Sequence, residues 1–179
     1  MAYADLQGTE TVIDAYCGIG TISMYLAKKA KEVIGVEVVA QAIQDAKQNA
    51  ELNGLTNCTF IAAKAEEWLP KWVGKGNRAD VIMLDPPRKG CEPAALDSII
   101  RCQIPKIVYV SCNPSTLARD IKYLSEEGGY QLQAIQPVDL FCGSYHVETV
   151  CLLVNQNAKA KQHVNVEIDA EEYYRIKKN

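Results

Sequence analysis

The sequence predicts an α/β protein with a seven-stranded, mostly parallel sheet and helices on both faces. Short apolar, β-branched runs alternate with segments whose apolar residues recur at helical spacing, which is the pattern of βαβ units. The last two apolar runs, 130–138 and 146–154, are joined without a helix, so they should pair antiparallel. Because the chain has 179 residues, one domain is the default expectation.

Composition narrows the class of protein. A hydrophobic content of 48% with 23% charged residues is ordinary for a soluble globular chain. The N-terminus lacks a signal-peptide pattern and no apolar run reaches membrane length, so we expect a cytoplasmic protein. Seven cysteines without a C-x-x-C pair, and two histidines, argue against a disulfide framework or a metal centre. Because the net charge is −3, we expect that binding to nucleic acid would require a local basic surface or protein segments outside this chain.

The first expected strand, 11–17, runs into a glycine turn. Gly18 and Gly20 allow a tight turn and a close approach of the backbone to a ligand, and a helix is expected from Thr21 to about residue 29. The third glycine of the dinucleotide fingerprint is missing, since Ser23 occupies its place. The turn is therefore not the dinucleotide fingerprint, and because glycine pairs are common in loops, it is by itself a weak indication of a ligand site.

The second expected strand, 33–36, ends in an acid. Glu37 lies about 20 residues after the glycine turn, where a carboxylate can accept hydrogen bonds from both ribose hydroxyls. The alternative is a solvated acid at a strand end. A helix over 39–53, a strand over 58–63 and a short helix from residue 64 follow. Trp68 and Trp72 lie four residues apart, which predicts packing on one helix face.

The fourth expected strand, 80–84, ends in Asp85-Pro86-Pro87-Arg88-Lys89-Gly90. The two prolines make a rigid, extended turn that holds Asp85 at the same sheet edge as Gly18 and Glu37. Arg88 and Lys89 are either ordinary solvated surface or a phosphate contact.

The fifth expected strand delivers a cysteine to its carboxyl end. A helix over 94–102 precedes an apolar run that ends in Ser-Cys112, and an Asn-Pro step then breaks the strand. A helix over 115–127 follows, with Ser115 or Thr116 as its expected cap. Cys112 therefore lies where open α/β sheets bind ligands, facing the positive end of a helix, which favours the reactive thiolate. A small buried apolar residue is an equally weighted alternative.

Glu148 begins the apolar run of the last strand. It is either an outward-facing strand acid or a functional acid at the sheet edge. Residues 158–179 change character: 164–168 alternate like a short edge strand, and 169–179 are polar with helical propensity. We interpret them as an appendix to a domain that spans 1–157.

Four stretches carry a resemblance to a known family. They are Asp14-Ala-Tyr-Cys-Gly-Ile-Gly20, Asp85-Pro-Pro-Arg-Lys-Gly90, Val110-Ser-Cys-Asn-Pro-Ser-Thr-Leu-Ala-Arg-Asp120 and His146-Val-Glu-Thr149. The order of elements resembles the Rossmann-like, S-adenosylmethionine (SAM)-dependent methyltransferase fold, and the four stretches resemble the RNA uracil-C5-methyltransferase family. The resemblance implies methyl transfer to C5 of a uridine in RNA through a covalent cysteine adduct, with 23S ribosomal RNA as the first expectation.

The resemblance also implies roles for individual residues. Cys112 would be the nucleophile and Glu148 the general base, without a metal. SAM contacts would come from the glycine turn and its neighbours at the sheet edge: Asp14, Tyr16, Gly18, Gly20, Thr21, Glu37 and Asp85. The alternatives are a tRNA uridine, cytosine C5 or an exocyclic amine as the target, or a SAM-binding fragment that is inactive alone.

This sequence departs from the family pattern at its start and near Cys142. Family members usually carry an N-terminal RNA-binding β-barrel, a second RNA-binding insertion and an upstream glutamine that contacts SAM, so we expect this chain to be the catalytic domain of a longer protein. Cys142 stands where members often have proline, which adds a second cysteine near the expected site.

Overall fold

A computed structural model describes residues 2–140, 143 and 147–158. The strands of this part are β1 (Thr11–Asp14), β2 (Glu32–Glu37), β3 (Cys58–Ala62), β4 (Val81–Leu84), β5 (Lys106–Ser111), β6 (Tyr130–Val138) and β7 (Glu148–Asn155). The helices are α1 (Thr21–Ala27), α2 (Ala40–Leu52), α3 (Ala65–Gly74), α4 (Pro93–Cys102) and α5 (Pro114–Gly128).

The strands form one seven-stranded sheet in the order β3-β2-β1-β4-β5-β7-β6. The pairs among β1 to β5 are parallel, whereas β7 runs antiparallel to both β5 and β6. The strand order reverses direction next to β1, where the crossovers leave the sheet on either side, and ligands of open α/β folds bind at such a point. The α/β class and the antiparallel final pair that the sequence predicts are confirmed.

Helices cover both faces of the sheet because neighbouring strand residues point to opposite sides. Ile13, Ile82 and Ile107 share a core with α3, α4 and α5. Val12 and the valines of the neighbouring strands form a second hydrophobic core with α1. The central strands are therefore buried on both faces, which explains their near-continuous apolar sequences.

The start of α5 differs from the expectation. Asn113 caps the helix: its backbone is extended, and its side-chain oxygen accepts a hydrogen bond from the Ser115 amide at 3.1 Å. Pro114 occupies the first helical turn, where a missing N–H costs nothing. Capping by Ser115 or Thr116 was therefore the wrong prediction, and the Thr116 hydroxyl instead donates to the Arg88 carbonyl at 3.2 Å.

Two further expectations concern packing and the tail. The rings of Trp68 and Trp72 stack with their centroids 5.4 Å apart, which confirms that they share one face of α3. The predicted strand over 164–168 and helix over 169–179, together with Cys142 and His146, lie outside the described residues. Among the helices that are described, none combines the length and apolar character needed to cross a membrane.

Candidate active site

The candidate site lies at the carboxyl edge of the parallel strands. β1 ends at Asp14, β2 at Glu37 and β4 immediately before Asp85, and β5 is followed by Cys112. Because these strands are parallel, their ends meet at one edge of the sheet. β7 is antiparallel and therefore begins at this same edge, with Glu148.

A cavity of about 430 Å³ opens at this edge. Of the residues predicted to contact a cofactor, Tyr16, Glu37 and Asp85 line its wall. Lining residues that the sequence analysis did not single out as cofactor contacts are Ala15, Val36, Val38, Ala63, Lys64, Ala65, Glu66, Pro87, Lys89, Gly90 and Glu92. Most of them belong to two loops, one after β3 and one after β4, which only the folded chain brings to the glycine turn.

Glu37 holds the glycine turn in place. Its Oε2 accepts a hydrogen bond from the Gly18 amide at 3.3 Å, and its Oε1 accepts one from the Val39 amide at 2.9 Å. Each carboxylate oxygen keeps a second lone pair, so the same side chain can still accept hydrogen bonds from a ligand.

The two glycines of the turn face different surroundings. At Gly20, which precedes α1 with a φ of 84°, an added Cβ would lie 2.9 Å from the Phe60 ring and 3.2 Å from Ala46. At Gly18, with a φ of 51°, an added Cβ would meet no described atom within 4 Å. Gly20 is therefore required by packing, whereas Gly18 leaves open space beside the backbone. Thr21 is exposed at the first position of α1.

Asp14 lies beneath the turn rather than on the cavity wall. It is fully buried, and the Ser23 hydroxyl donates a 2.6 Å hydrogen bond to its Oδ2. The pKa of Asp14 is raised to about 6, chiefly by burial and in part by the charges of Asp85 and Glu37, despite the lowering effect of the hydrogen bonds from Ser23. Within the described residues, its Oδ1 has no hydrogen-bond partner. The visible contact of Asp14 joins β1 to α1, and its predicted contact with a cofactor stays a prediction.

The β5–β7 ladder ends at this edge. Ser111 of β5 pairs with Thr149 of β7 in the last pair of the ladder, Cys112 follows Ser111, and Glu148 precedes Thr149, so both residues lie at the same edge of the sheet. Cys112 is a half-buried free thiol, and Glu148 is also half-buried. Neither residue lines the cavity, whereas Asp85 does. Burial raises the pKa of Asp85, and the charge of Glu148 raises it further.

A buried polar network behind the cavity escaped the sequence analysis. The Asp120 carboxylate accepts hydrogen bonds from the Tyr109 hydroxyl at 2.6 Å and from the Cys91 amide at 2.8 Å. The Cys91 thiol lies within hydrogen-bonding reach of the Tyr16 and Tyr109 hydroxyls, and burial raises its pKa to about 11. The one signal in the sequence is that Asp120 lies on the apolar face of α5, three residues after Leu117 and four before Leu124.

The described residues contain no cluster of His, Cys, Asp or Glu side chains with the arrangement of a metal site. The acids at the sheet edge instead contact backbone amides and hydroxyls, as Glu37 and Asp14 do.

Comparisons with known proteins agree with these features. Residues 3–156 match the family model described as tRNA (Uracil-5-)-methyltransferase. An uncharacterized RNA methyltransferase of Listeria innocua is 60% identical over 150 residues, which cover 84% of this chain and 33% of the relative. Another from Bacillus cereus is 58% identical over 153 residues, covering 86% of this chain and 33% of the relative. The chain thus spans about one third of the length of these curated relatives.

Solved structures support the same fold. The tRNA (uracil-54, C5)-methyltransferase of Pyrococcus abyssi, in complex with S-adenosyl-L-homocysteine, aligns with a TM-score of 0.71 at 33% identity over 86% of this chain and 36% of that protein. An rRNA methylase from Streptococcus thermophilus aligns with a TM-score of 0.67 at 15% identity, over 86% of this chain and 90% of that one, which shows the fold alone. The predicted Rossmann-like methyltransferase fold is confirmed, and the chain belongs to the tRNA (uracil-5-)-methyltransferase family.

Proposed function

We propose that this chain catalyses SAM-dependent methyl transfer to C5 of a uridine in RNA, with Cys112 as nucleophile and Glu148 as general base. The observation that supports the proposal is the end of the β5–β7 ladder, where Cys112 follows the Ser111–Thr149 pair on one strand and Glu148 precedes it on the other, at the sheet edge where the cavity opens. A thiol and an acid are the two groups that this reaction requires.

The residues at the cavity fit a nucleoside-bearing methyl donor. A volume of about 430 Å³ is within the usual range for a small-molecule site. Glu37 keeps lone pairs that can accept hydrogen bonds from ribose hydroxyls, and Tyr16 and Asp85 also line the cavity. The open space at Gly18 allows a ligand to approach the backbone closely. The relative from Pyrococcus abyssi was solved with S-adenosyl-L-homocysteine, the demethylated product. When bound, SAM supplies an electrophilic methyl group carried on a sulfonium.

Cys112 would make the uracil ring reactive. C5 of uracil is a weak carbon nucleophile, and the thiolate overcomes this by forming a bond to C6. The electron pair of the C5–C6 double bond then moves into an enolate, whose C5 can accept a methyl group. The position of Cys112 after β5, ahead of the N-terminus of α5, suits a thiolate because the helix dipole favours negative charge there.

Glu148 would complete the reaction. After C5 gains a methyl group, its proton must leave so that the C5–C6 double bond can re-form and the Cys112 sulfur can depart as thiolate. Glu148 and Cys112 each lie one residue beyond the last pair of the β5–β7 ladder, which supports Glu148 as the base that takes this proton. The products of the complete reaction are 5-methyluridine, S-adenosylhomocysteine and a proton.

The RNA target is the finer part of the proposal. The sequence interpretation favours 23S ribosomal RNA, whereas the solved relative from Pyrococcus abyssi is a tRNA methyltransferase. Mass-spectrometric mapping of 5-methyluridine in RNA from cells with and without the protein decides between them. If cells without the protein lose 5-methyluridine from one position of 23S ribosomal RNA, that RNA is supported as the target. If they lose it from tRNA alone, tRNA is the target instead.

Covalent trapping tests the mechanism. With SAM present, RNA that contains 5-fluorouridine should form a stable adduct, because fluorine at C5 cannot be removed as a proton. We expect the adduct and methyl transfer to be lost in Cys112→Ala and retained in Cys142→Ala. Cys58→Ala, at the opposite side of the sheet, is a second control with a partly exposed thiol. Trapping that survives in Cys112→Ala, or that disappears only in Cys142→Ala, would remove the nucleophile assignment.

A further inference from the structure

The first turns of α5 hold the loop that follows β4. The Asn113 side chain donates a hydrogen bond to the Arg88 carbonyl at 3.0 Å, and the Thr116 hydroxyl donates another to the same oxygen at 3.2 Å. One turn further along, Arg119 Nη2 donates to the Lys89 carbonyl at 3.0 Å and to the Cys91 carbonyl at 3.3 Å. The N-cap and the first two turns of α5 therefore bind three backbone carbonyls of one loop.

Asp120 anchors this arrangement from the buried side. Its Oδ2 accepts from the Cys91 amide at 2.8 Å and from the Tyr109 hydroxyl at 2.6 Å, while its Oδ1 accepts from Arg119 Nε at 2.8 Å. An added Cβ at Gly90 would lie 2.6 Å from Asp120 Oδ2 and 2.7 Å from Arg119 Nη2. The loop is thus packed directly against the ion pair and has no room to shift toward α5.

The two partners of this contact carry the two halves of the candidate site. The loop begins at Asp85, and Pro87, Lys89 and Gly90 line the cavity with it. α5 begins two residues after Cys112. We propose that Asn113, Thr116, Arg119 and Asp120, which we name the α5 clamp, are positioning residues that set the cofactor-side loop at the correct distance from the Cys112 thiol. This inference rests on the proposed function.

The Asp120 carboxylate joins the parts of the α5 clamp. Its side chain is 1% exposed, whereas that of Arg119 is 57% exposed, so the arginine neutralises a buried carboxylate while reaching into solvent. A carboxylate can accept all three hydrogen bonds at once, because it has two oxygens and no proton. An asparagine in its place would present an N–H₂ group to one of those donors, and at least one contact with the loop or with Arg119 would be lost.

The chain offers a control with the same residue types, although the Asp97 side chain is 37% exposed and that of Asp120 only 1%. Asp97 of α4 accepts a 2.6 Å hydrogen bond from Tyr123 and pairs with Arg101 at 3.9 Å. This is the same acid, tyrosine and arginine combination, but it joins α4 to α5 without touching the 85–92 loop. Asp97→Asn therefore reports the general effect of losing such a contact, and Asp120→Asn reports the effect of loosening the loop.

The test compares both variants in single-turnover methyl transfer at saturating SAM and RNA. We expect Asp120→Asn to slow transfer at least tenfold and Asp97→Asn less than twofold, with S-adenosylhomocysteine affinity lowered much less than the rate. Tyr109→Phe, which removes one hydrogen bond and keeps the ring, should give a smaller loss in the same direction. An unchanged rate in Asp120→Asn, or an equal loss in the Asp97 variant, would overturn the proposal.

A second measurement separates this inference from the proposed function. Amide hydrogen exchange of the S-adenosylhomocysteine-bound protein needs no RNA, and it should accelerate over residues 85–92 in Asp120→Asn but not in Asp97→Asn. If wild-type protein traps no 5-fluorouridine RNA, the proposed function fails while the exchange result still judges the clamp. Unchanged exchange over 85–92 would overturn the clamp even if the enzyme methylates uridine.

Discussion

The Glu37 carboxylate bridges the Gly18 amide, at 3.3 Å from Oε2, and the Val39 amide, at 2.9 Å from Oε1. One acid at the end of β2 thereby fixes both the glycine turn after β1 and the entry to α2. Its predicted role toward a ribose and its observed role in the loop are compatible, because each oxygen keeps a free lone pair. The acid is thus both part of the cavity wall and a support for it.

Replacing Glu37 with glutamine should weaken the binding of S-adenosylhomocysteine about tenfold, on the order of 1.5 kcal/mol, because a charged acceptor is lost. Isothermal titration calorimetry measures this directly. Glu32→Gln, at the opposite end of the same strand, serves as the control and should bind normally. Equal affinity in the Glu37 variant and the wild type would remove this residue from the cofactor site.

Alanine at the two turn glycines should separate packing from binding. Gly20→Ala is expected to cost at least about 2 kcal/mol of unfolding free energy, because backbone strain adds to the contacts with Phe60 and Ala46. Gly18→Ala should cost about 1 kcal/mol, from strain alone, while it lowers cofactor affinity. Urea denaturation gives the stabilities and calorimetry the affinities. The reverse order of stabilities would contradict the packing found at Gly20.

Asp14 should give the protein a specific dependence on pH. Its pKa rises from an ordinary 3.8 to about 6 in the folded protein, chiefly through burial. The folded state therefore holds this proton more tightly than the unfolded state, and stability falls as pH rises through the window from about 4 to 6. The Asp14→Asn variant lacks this group, so its stability relative to wild type should improve by about 2 kcal/mol between pH 4 and pH 7.

Chemical denaturation at a series of pH values checks the Asp14 prediction. Only the difference between the two proteins is interpreted, because Asp85, whose pKa is also raised, titrates in both. A difference that is constant with pH would show that the buried carboxyl does not change its protonation on folding.

Replacing Glu148 with glutamine should divide the reaction into its two halves. Adduct formation and methyl transfer depend on Cys112, whereas release depends on the base, so Glu148→Gln should accumulate a covalent complex with ordinary uridine RNA. Denaturing gel electrophoresis with radiolabelled SAM detects it. We expect turnover to fall by about two to four orders of magnitude, as for the loss of a general base. Rapid release of methylated RNA from this variant would assign the base elsewhere.

Much of this protein is encoded in local sequence pattern. The alternation of apolar runs with helical segments determined the α/β class, and the order of β6 and β7 without a helix determined their antiparallel pairing. The residues that end each strand, Glu37, Asp85 and Cys112 among them, could be assigned to one edge because parallel strands share their direction. These are consequences of period and chain direction, which a linear sequence contains.

Tertiary structure decided what depends on contacts between distant segments. Asp14 is fully buried rather than on the cavity wall, α5 is capped by Asn113, and Asp120 binds a loop 29 residues away through the Cys91 amide. The β5–β7 register, whose last pair precedes Cys112 on one strand and follows Glu148 on the other, belongs to the same group. Such details arise from burial and hydrogen-bond geometry between elements, and neither quantity exists until the sheet and its helices have packed together.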